Sequence, residues 1–277
     1  MTLGYDTIPA TMHDEIQARF DAGAQDWTRY NQTPLGRIRH KVTWHNLAPH
    51  LPGIPDEADS PRVLDAGGGS GEMALQLAQR GYRVWLLDYA AAMLAQAQQA
   101  ARALPDEAQA RLSYCQLSAD EADKAFAPGS FHVITCHTLV EYLPDPQATL
   151  RRLASLLCEG GVLSLSFVNR HAEVLRHVWS RGDPAGALAR LEEGEFCAKL
   201  FDVPGRACTA EEASAWLADL GLALTATCGV RCFADYVPPE RLNESEFLAA
   251  LLRLEQAAAN RSPYRLLARY IQLIAHK

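Results

Sequence analysis

The sequence lacks any long apolar run. Within its 277 residues, no stretch approaches the roughly 20 consecutive apolar residues that a membrane-spanning helix needs. The first residues, MTLGYDTIPATMHDE, also lack the basic patch and apolar core of a secretory signal. We therefore expect a cytoplasmic protein with no membrane partner.

Cysteines are few, and their number is odd. Of the seven, only Cys228 and Cys232 lie close together. Neither a histidine nor a second cysteine pair accompanies them at the spacing of metal ligands. This pattern argues against a disulfide framework and against a metal site, and reduced thiols are expected.

Positive charge is in deficit. The chain carries 26 Lys and Arg against 33 Asp and Glu, a net charge of −7, which argues against a general polyanion binder. The distribution is uneven, however, because residues 231–277 hold seven bases against five acids. A local positive patch is therefore compatible with the acidic whole.

Residues 1–61 are predicted to form an N-terminal helical cap. Leu35, Ile38, Val42 and Leu47 recur at the spacing of one helix face, after an earlier helical pattern around MHDEIQARF. The segment LPGIPDEADSP then interrupts the pattern with three prolines, which indicates a boundary.

From residue 62 onward, strand-like and helix-like stretches alternate. RVLDA, YRVWLLD, RLSYCQL, FHVITCHTLV and GGVLSLSFV are strand candidates, and helical segments separate them. This alternation predicts an α/β fold, a doubly wound, Rossmann-like parallel sheet with helices on both faces, over residues 62–168. Residues 169–208 break the rhythm and are predicted to form an inserted lid, while residues 209–277 complete the core.

The stretch VLDAGGGSGE, residues 63–72, places a glycine-rich loop between the first strand and the first helix of this core. Its pattern is D-x-G-x-G-x-G, which does not match the dinucleotide fingerprint G-x-G-x-x-G. Asp65 precedes the loop and Glu72 opens the helix, where a phosphate would otherwise lie. Carboxylates at these points repel a diphosphate and favour a cationic ligand.

S-adenosylmethionine meets these demands, because its ammonium and sulfonium groups are positive. Asp88 ends the second strand, 17 residues after the last glycine of the loop, where a carboxylate can hold both ribose hydroxyls. The alternative is a tight strand-to-helix turn whose glycines serve only positive φ angles. We expect the loop glycines to make room for the cofactor; they are Gly67, Gly68, Gly69 and Gly71.

With two later segments, FHVITCHTLVEYLPDP and LLCEGGVLSLSF, the chain resembles class I S-adenosylmethionine-dependent methyltransferases. The resemblance implies that Leu117 and Ser118, at the end of the third strand, lie against the adenine. His137 directly follows the fourth strand, so it is a candidate for cofactor or substrate contact. The alternative for His137 is a purely structural role.

The C-terminal part resembles the bacterial tRNA 5-carboxymethoxyuridine methyltransferases. The similar segments are GVRCFADY and PYRLLARYIQLIAHK, together with GRIRHKVTWHNL near the N-terminus. The resemblance implies tRNA as the partner and methylation of a wobble-uridine carboxylate to its methyl ester. It also implies that Arg39 contacts the cofactor, where a guanidinium suits the methionyl carboxylate.

An anionic acceptor suits the residue types of the tail, since an arginine can fork a carboxylate and a tyrosine can stack on a base. The alternative is structural, with Arg231 pairing locally with Asp235 and Arg269 capping a helix or strand. A carboxylate acceptor is already ionised, so no catalytic base is predicted. The candidate acceptor-binding residues are Asn169, Arg231, Tyr236, Arg269 and Tyr270.

Two other functions stay open at this point. The acidic isoelectric point of about 5.7 favours a methyltransferase of a small-molecule metabolite. A cofactor-binding or scaffold subunit without catalysis is the third possibility, and the intact glycine motif with Asp88 argues against it.

Overall fold

The computed structural model describes residues 10–54, 60–192, 194–198 and 200–277, and for residues 10–14 and 192 it describes the backbone alone. Residues 55–59, part of the predicted boundary loop, lie outside this description. The helices are α1 (Ala10–Gln32), α2 (Pro34–Leu47), α3 (Glu72–Gln79), α4 (Ala91–Ala101), α5 (Asp106–Ala110), α6 (Ala122–Ala125), α7 (Pro146–Leu156), α8 (Arg170–Arg181), α9 (Pro184–Glu192), α10 (Ala210–Asp219), α11 (Ser245–Ala258) and α12 (Tyr264–Leu267). The strands are β1 (Arg62–Ala66), β2 (Arg83–Asp88), β3 (Leu112–Gln116), β4 (Phe131–His137), β5 (Leu157–Val168), β6 (Glu195–Ala198), β7 (Val203–Arg206), β8 (Ala223–Val230) and β9 (Tyr270–His276).

Short-range signals explain where two of the core helices begin. Asp145 accepts a hydrogen bond from the N–H of Ala148 at 2.9 Å, and Pro146 occupies the first turn of α7. Thr209 and Glu212 form a reciprocal capping box at the start of α10. Helix α7 lies between the fourth and fifth strands, where the alternation in the sequence predicts a helix.

Seven strands form one sheet in the order β3-β2-β1-β4-β5-β9-β8. Strands β1 to β5 pair in parallel, which confirms the Rossmann-like core. Beyond the predicted parallel core, β9 runs antiparallel to both β5 and β8, so the complete sheet is mixed. Val230 and Tyr270 are partners across β8 and β9. The chain leaves the sheet at the end of β8, passes through α11 and α12, and returns at the same edge of the sheet. Strand β9 therefore runs in the direction opposite to β8.

The two faces of the sheet pack against different helices. Leu64 belongs to the cluster that includes Leu153 of α7, and its neighbour Val63 belongs to the cluster that includes Leu77 of α3. These side chains have no solvent exposure. Because successive strand residues point to opposite faces, a strand covered on both faces is a continuous apolar run, as RVLDA nearly is.

The strand order reverses between β1 and β4, and ligands in open α/β sheets bind at the carboxyl ends of the strands beside such a point. Helix α1 and the hairpin β6–β7 region lie over this edge. Phe20 of α1 packs on Phe201 beside the hairpin, with ring centroids 4.5 Å apart. None of the described helices is both long enough and apolar enough to cross a membrane.

Candidate active site

A cavity of about 470 Å³ lies at the carboxyl ends of the central strands, under α1 and the segment around β6 and β7. It brings together most of the predicted site residues from distant parts of the chain. Those that line it are Arg39, Asp65, Gly67, Gly68, Gly69, Asp88, Leu117, Ser118, His137, Arg231, Arg269 and Tyr270. Gly71, Asn169 and Tyr236 do not.

The glycine loop forms one wall of the cavity. Gly69 has a φ of +54° and faces Trp27 and Met93, while a Cβ on Gly68 would collide with the side chains of Leu86 and Asp65. Both positions therefore need glycine. Gly71 is instead the N-cap of α3, with a φ of +82°, and it does not line the cavity, so the structure gives it the role of starting the helix.

Asp88 ties the glycine loop to the end of β2. Its Oδ2 accepts a hydrogen bond from the Gly69 N–H at 2.9 Å, and its Oδ1 accepts one from the Ala90 N–H at 2.9 Å. Burial raises the pKa of Asp88 to about 6. Each oxygen retains acceptor capacity, so the carboxylate can take two further hydrogen bonds from a ligand diol in the cavity.

Asp65 is a buried acid that lacks one partner. Its Oδ1 accepts a hydrogen bond from Thr135 Oγ1 at 2.6 Å, whereas its Oδ2 has no hydrogen bond among the described residues. Burial raises the pKa of Asp65 to about 6, and the nearby charge of Glu72 adds to the shift. The backbone N–H of Ala74 opposes that shift, and Oδ2 itself is buried beneath the glycine loop. The negative charge under the loop therefore favours a positively charged ligand in the cavity through space and disfavours a phosphate.

Replacement of Asp65 by asparagine is expected to stabilise the ligand-free protein by about 2–3 kcal/mol at pH 8, since one pKa unit corresponds to about 1.4 kcal/mol. Because the folded-state pKa of Asp65 is raised from 3.8 to about 6, its ionisation removes stability as the pH rises through this window. The asparagine carries no charge to bury and can keep the bond from Thr135. Denaturant unfolding at pH 4 and pH 8 measures the effect.

The difference in unfolding free energy between this variant and the wild type should be small at pH 4 and reach its full size above pH 6. Asp106→Asn, at an exposed position on α5, is the matched control and should show neither change. A variant less stable than the wild type at pH 8 would contradict the account of Asp65.

Arg39 brings a buried positive charge to the cavity. Its Nη2 donates to Asn31 Oδ1 at 2.9 Å, and its guanidinium carbon lies 4.4 Å from the centre of the Trp27 ring. Its contacts among the described residues are with amide, imidazole and aromatic groups rather than with a carboxylate. A ligand carboxylate is the natural partner for such a guanidinium.

The remaining predicted cofactor residues differ in what they can offer. His137 Nε2 lies 2.8 Å from Ser164 Oγ, and burial lowers the pKa of His137 to about 3, so the ring is neutral. The Leu117 N–H donates to the Asp88 carbonyl oxygen at 3.2 Å and is therefore not free for an adenine. Of the two residues after β3, Ser118 is the better candidate for a polar contact.

The opposite end of the cavity is rich in arginine. Arg231 forms an ion pair with Asp235, its Nε lying 2.9 Å from Oδ2, and Arg269 pairs with the buried Glu173. The structural alternative for Arg231 is thus correct as far as the pairing goes, although the residue also faces the cavity. Burial raises the pKa of Tyr270, but the charges of three nearby arginines outweigh burial and bring the pKa down to about 8. These are Arg231, Arg269 and Arg39.

Two of the residues predicted to bind the acceptor, Asn169 and Tyr236, do not line the cavity. Asn169 is fully buried, and its Nδ2 donates to the carbonyl oxygens of Leu266 and Ala268, both at 2.8 Å. Its Oδ1 accepts from the His171 N–H at the start of α8, so no part of the side chain is left for a substrate. Tyr236 lies outside the cavity, where its ring meets Trp179 edge-on at 5.9 Å.

Charge is segregated along the cavity. The glycine-loop end has three carboxyls among its lining residues: Asp65, Glu72 and Asp88. The other end has four arginines and three carboxyls: Arg176, Arg181, Arg231 and Arg269, with Glu141, Glu173 and Asp235. Arg39 lies nearer the glycine loop, because Asn31 bonds both Arg39 and Glu72. Burial raises the pKa of Glu141 to about 7, which adds to the positive excess. One end therefore suits a cation and the other an anion.

The sequence interpretation missed the aromatic cover of the site. Phe20, Trp27 and Tyr30 of α1 line the cavity, as do Phe196 and Phe201 beside the hairpin. Phe20 and Trp27 are seven residues apart and Tyr30 follows three later, which is the spacing of one helix face. That signal was present in the segment ARFDAGAQDWTRYNQ.

Comparison with known proteins gives a consistent result. A methyltransferase-domain family model matches residues 64–163. The chain is 33% identical over 259 residues to the tRNA 5-carboxymethoxyuridine methyltransferase of Escherichia coli, covering 93% of this chain and 95% of that protein. It is 31% identical over 221 residues to the ubiquinone biosynthesis O-methyltransferase of Stutzerimonas stutzeri, covering 79% and 86%.

A likeness to solved structures supports the fold. The magnesium protoporphyrin IX methyltransferase of Synechocystis, solved with bound SAH, aligns with a TM-score of 0.61 at 17% identity, covering 96% of this chain and 99% of that one. The buried charge of Asp65, the acceptor capacity of Asp88 and the guanidinium of Arg39, which has no carboxylate partner among the described residues, fit a ligand with a positive centre, a ribose and a carboxylate. The chain therefore belongs to the class I methyltransferases, and its methyl donor is S-adenosylmethionine.

Proposed function

We propose that this enzyme methylates the carboxylate of 5-carboxymethoxyuridine at the wobble position of tRNA, forming the methyl ester. The similarity to the Escherichia coli enzyme named for this modified nucleoside supports the proposal, because it extends over 93% of the chain. The observation that carries it is the arginine-rich end of the cavity, which offers positive charge to an anionic acceptor.

In this proposal, one group of side chains binds the methyl donor and another orients the acceptor. Asp88 would hold the ribose, Asp65 the positive part of the donor and Arg39 its carboxylate. Bound there, S-adenosylmethionine supplies an electrophilic methyl group. Arg231 and Arg269 orient the acceptor carboxylate, which is already ionised at neutral pH and needs no base. The aromatic cover of α1 and the hairpin region keeps water away from the reacting atoms.

The second candidate is a small phenolic acceptor, which the similarity to the ubiquinone biosynthesis O-methyltransferases favours. A phenol must lose its proton before or during transfer, so this reaction calls for a base in the cavity. His137, with a pKa of about 3, accepts a proton poorly. Glu141, which lines the cavity with a pKa of about 7, is a candidate base for such a reaction. The carboxylate acceptor is favoured instead by the similarity that extends over 93% of the chain.

Purified enzyme with methyl-labelled S-adenosylmethionine distinguishes the two acceptors. We expect label in tRNA from a strain that lacks the gene, with no incorporation into tRNA from the parent strain, whose wobble ester is already formed. A free catechol should not be labelled. Labelling of the catechol without labelling of either tRNA would overturn the proposal. A tRNA substrate also implies a cytoplasmic enzyme.

A further inference from the structure

Trp179 is a large aromatic side chain that the fold leaves in solvent. It lies near the end of α8 with 73% of its surface exposed. Burying a tryptophan is strongly favourable, and aromatic residues contribute heavily to binding surfaces, so an exposed ring beside an active site points to a partner. Its position relative to the cavity identifies the kind of partner.

Tyr236 extends the Trp179 surface. The two rings meet edge-on, with centroids 5.9 Å apart and planes inclined at 72°. Burial raises the pKa of Tyr236, and the charge of Arg176, which lies three residues before Trp179 on α8, opposes that shift. Two aromatic rings and a guanidinium thus form one surface patch.

The patch is continuous with the arginine-rich end of the cavity. Arg176 lines the cavity, and its Nη1 donates to Glu173 Oε1 at 2.9 Å. Glu173 in turn pairs with Arg269, one of the two proposed acceptor contacts. Arg181, two residues after Trp179, also lines the cavity, and its Nη1 contacts His177 Nε2 at 3.0 Å.

This combination fits single-stranded RNA. A base presents a flat face that stacks on tryptophan or tyrosine, and the phosphate beside it is held by arginine. Helices α8 and α9 also expose Val178, Leu188 and Leu191, so apolar surface for a protein partner is present. The arginines that adjoin the ring on the side of the cavity serve an anionic partner, which favours RNA. The whole chain has a net charge of −7, so a local cationic and aromatic patch is the favourable place for an anionic chain.

We propose that Trp179, with Tyr236, Arg176 and Arg181, forms a stacking platform at the cavity mouth that holds a nucleotide next to the one being methylated. The inference rests on the proposed tRNA function and deepens it. It assigns to α8 the recognition of RNA around the target, and to the cavity the recognition of the modified base itself. It also gives Tyr236 a role on the acceptor side, outside the cavity.

The test uses two probes, a synthetic anticodon stem-loop carrying 5-carboxymethoxyuridine and the free nucleoside. Trp179→Ala should raise the KM for the stem-loop about tenfold, the scale of losing one stacked base. It should leave the KM for S-adenosylmethionine and the kcat/KM for the free nucleoside unchanged. Trp179→Phe should restore most of the stem-loop affinity, because the flat ring is retained.

Leu188→Ala is the matched control, since Leu188 is an apolar residue on α9 with 68% exposure. It should leave both probes unaffected. An unchanged stem-loop KM in Trp179→Ala would overturn the platform while leaving the proposed function intact. An equal loss on the stem-loop and the free nucleoside would also overturn it, because it would place Trp179 in support of the fold. If the wild-type enzyme methylates neither the stem-loop nor the free nucleoside, both the proposed function and the platform are overturned.

Discussion

Replacement of Asp88 by alanine is expected to weaken the binding of S-adenosylmethionine by about 1.5–3 kcal/mol, or roughly 10- to 150-fold, the scale of losing charged hydrogen bonds. The variant loses the acceptor for the ribose hydroxyls. It also frees the Gly69 N–H and the Ala90 N–H, so the glycine loop loses its tie to β2. Calorimetric titration with the cofactor measures the change in Kd.

The effect of Asp88 has a pH signature. With a pKa of about 6, Asp88 accepts a proton as the pH falls below that value, so the wild-type Kd should rise between pH 7 and pH 5. Asp88→Asn should show a weaker affinity at pH 7 and a smaller pH dependence. Asp106→Ala, at an exposed site on α5, is the control and should bind as the wild type does. Unchanged affinity in Asp88→Ala would show that the ribose lies elsewhere.

Replacement of Arg231 by lysine is expected to lower kcat/KM for tRNA by about 10- to 100-fold, while the Kd for S-adenosylmethionine stays the same. Arg231 is 4% exposed and donates to both Asp235 and the hydroxyl of Tyr30, which fixes its guanidinium at the cavity wall. The Nε and Nη2 groups of Arg231 both donate to Asp235, so only its remaining N–H groups can reach an acceptor. Lysine keeps the charge opposite Asp235 but has too few N–H groups left for both Tyr30 and a substrate carboxylate. Steady-state kinetics with tRNA and calorimetry with the cofactor separate the two effects.

Arg241→Lys is the control for Arg231, because Arg241 makes an exposed ion pair with Glu244 at 2.7 Å. It should leave kcat/KM and stability unchanged, as surface pairs contribute little. Equal losses of cofactor affinity and acceptor turnover in Arg231→Lys would contradict the acceptor role. The residue would then support the fold through Asp235 and Tyr30.

Much of the fold follows from local patterns in the sequence. The apolar runs that form β1 to β5 and the helices between them are short-range signals, because a strand covered on both faces must be apolar along its length. The direction of β9 could not be predicted in the same way. It depends on whether the excursion between Val230 and Tyr270 ends at the edge of the sheet where it began. That outcome is decided by long-range packing.

The site was predictable where one motif holds the chemistry. Asp65, Gly69 and Asp88 lie in two short segments with a fixed relation to the first two strands, and the structure brings them together. Asn169 was misjudged because its side chain makes contacts with residues almost 100 positions away. The Arg269–Glu173 ion pair likewise joins residues that are far apart in the sequence. Such partners are set by tertiary packing, which spacing in the sequence does not reveal.

The chemical nature of the transferred methyl group tests the central claim most directly. Wild-type enzyme is incubated with methyl-labelled S-adenosylmethionine and tRNA from the strain that lacks the gene, and the labelled tRNA is then treated with mild alkali. A methyl ester is cleaved under these conditions, so we expect the label to be released as methanol, leaving 5-carboxymethoxyuridine at the wobble position. Label that stays on the nucleoside after alkali would contradict the account, because it would show an ether or an N-methyl group and an acceptor other than a carboxylate.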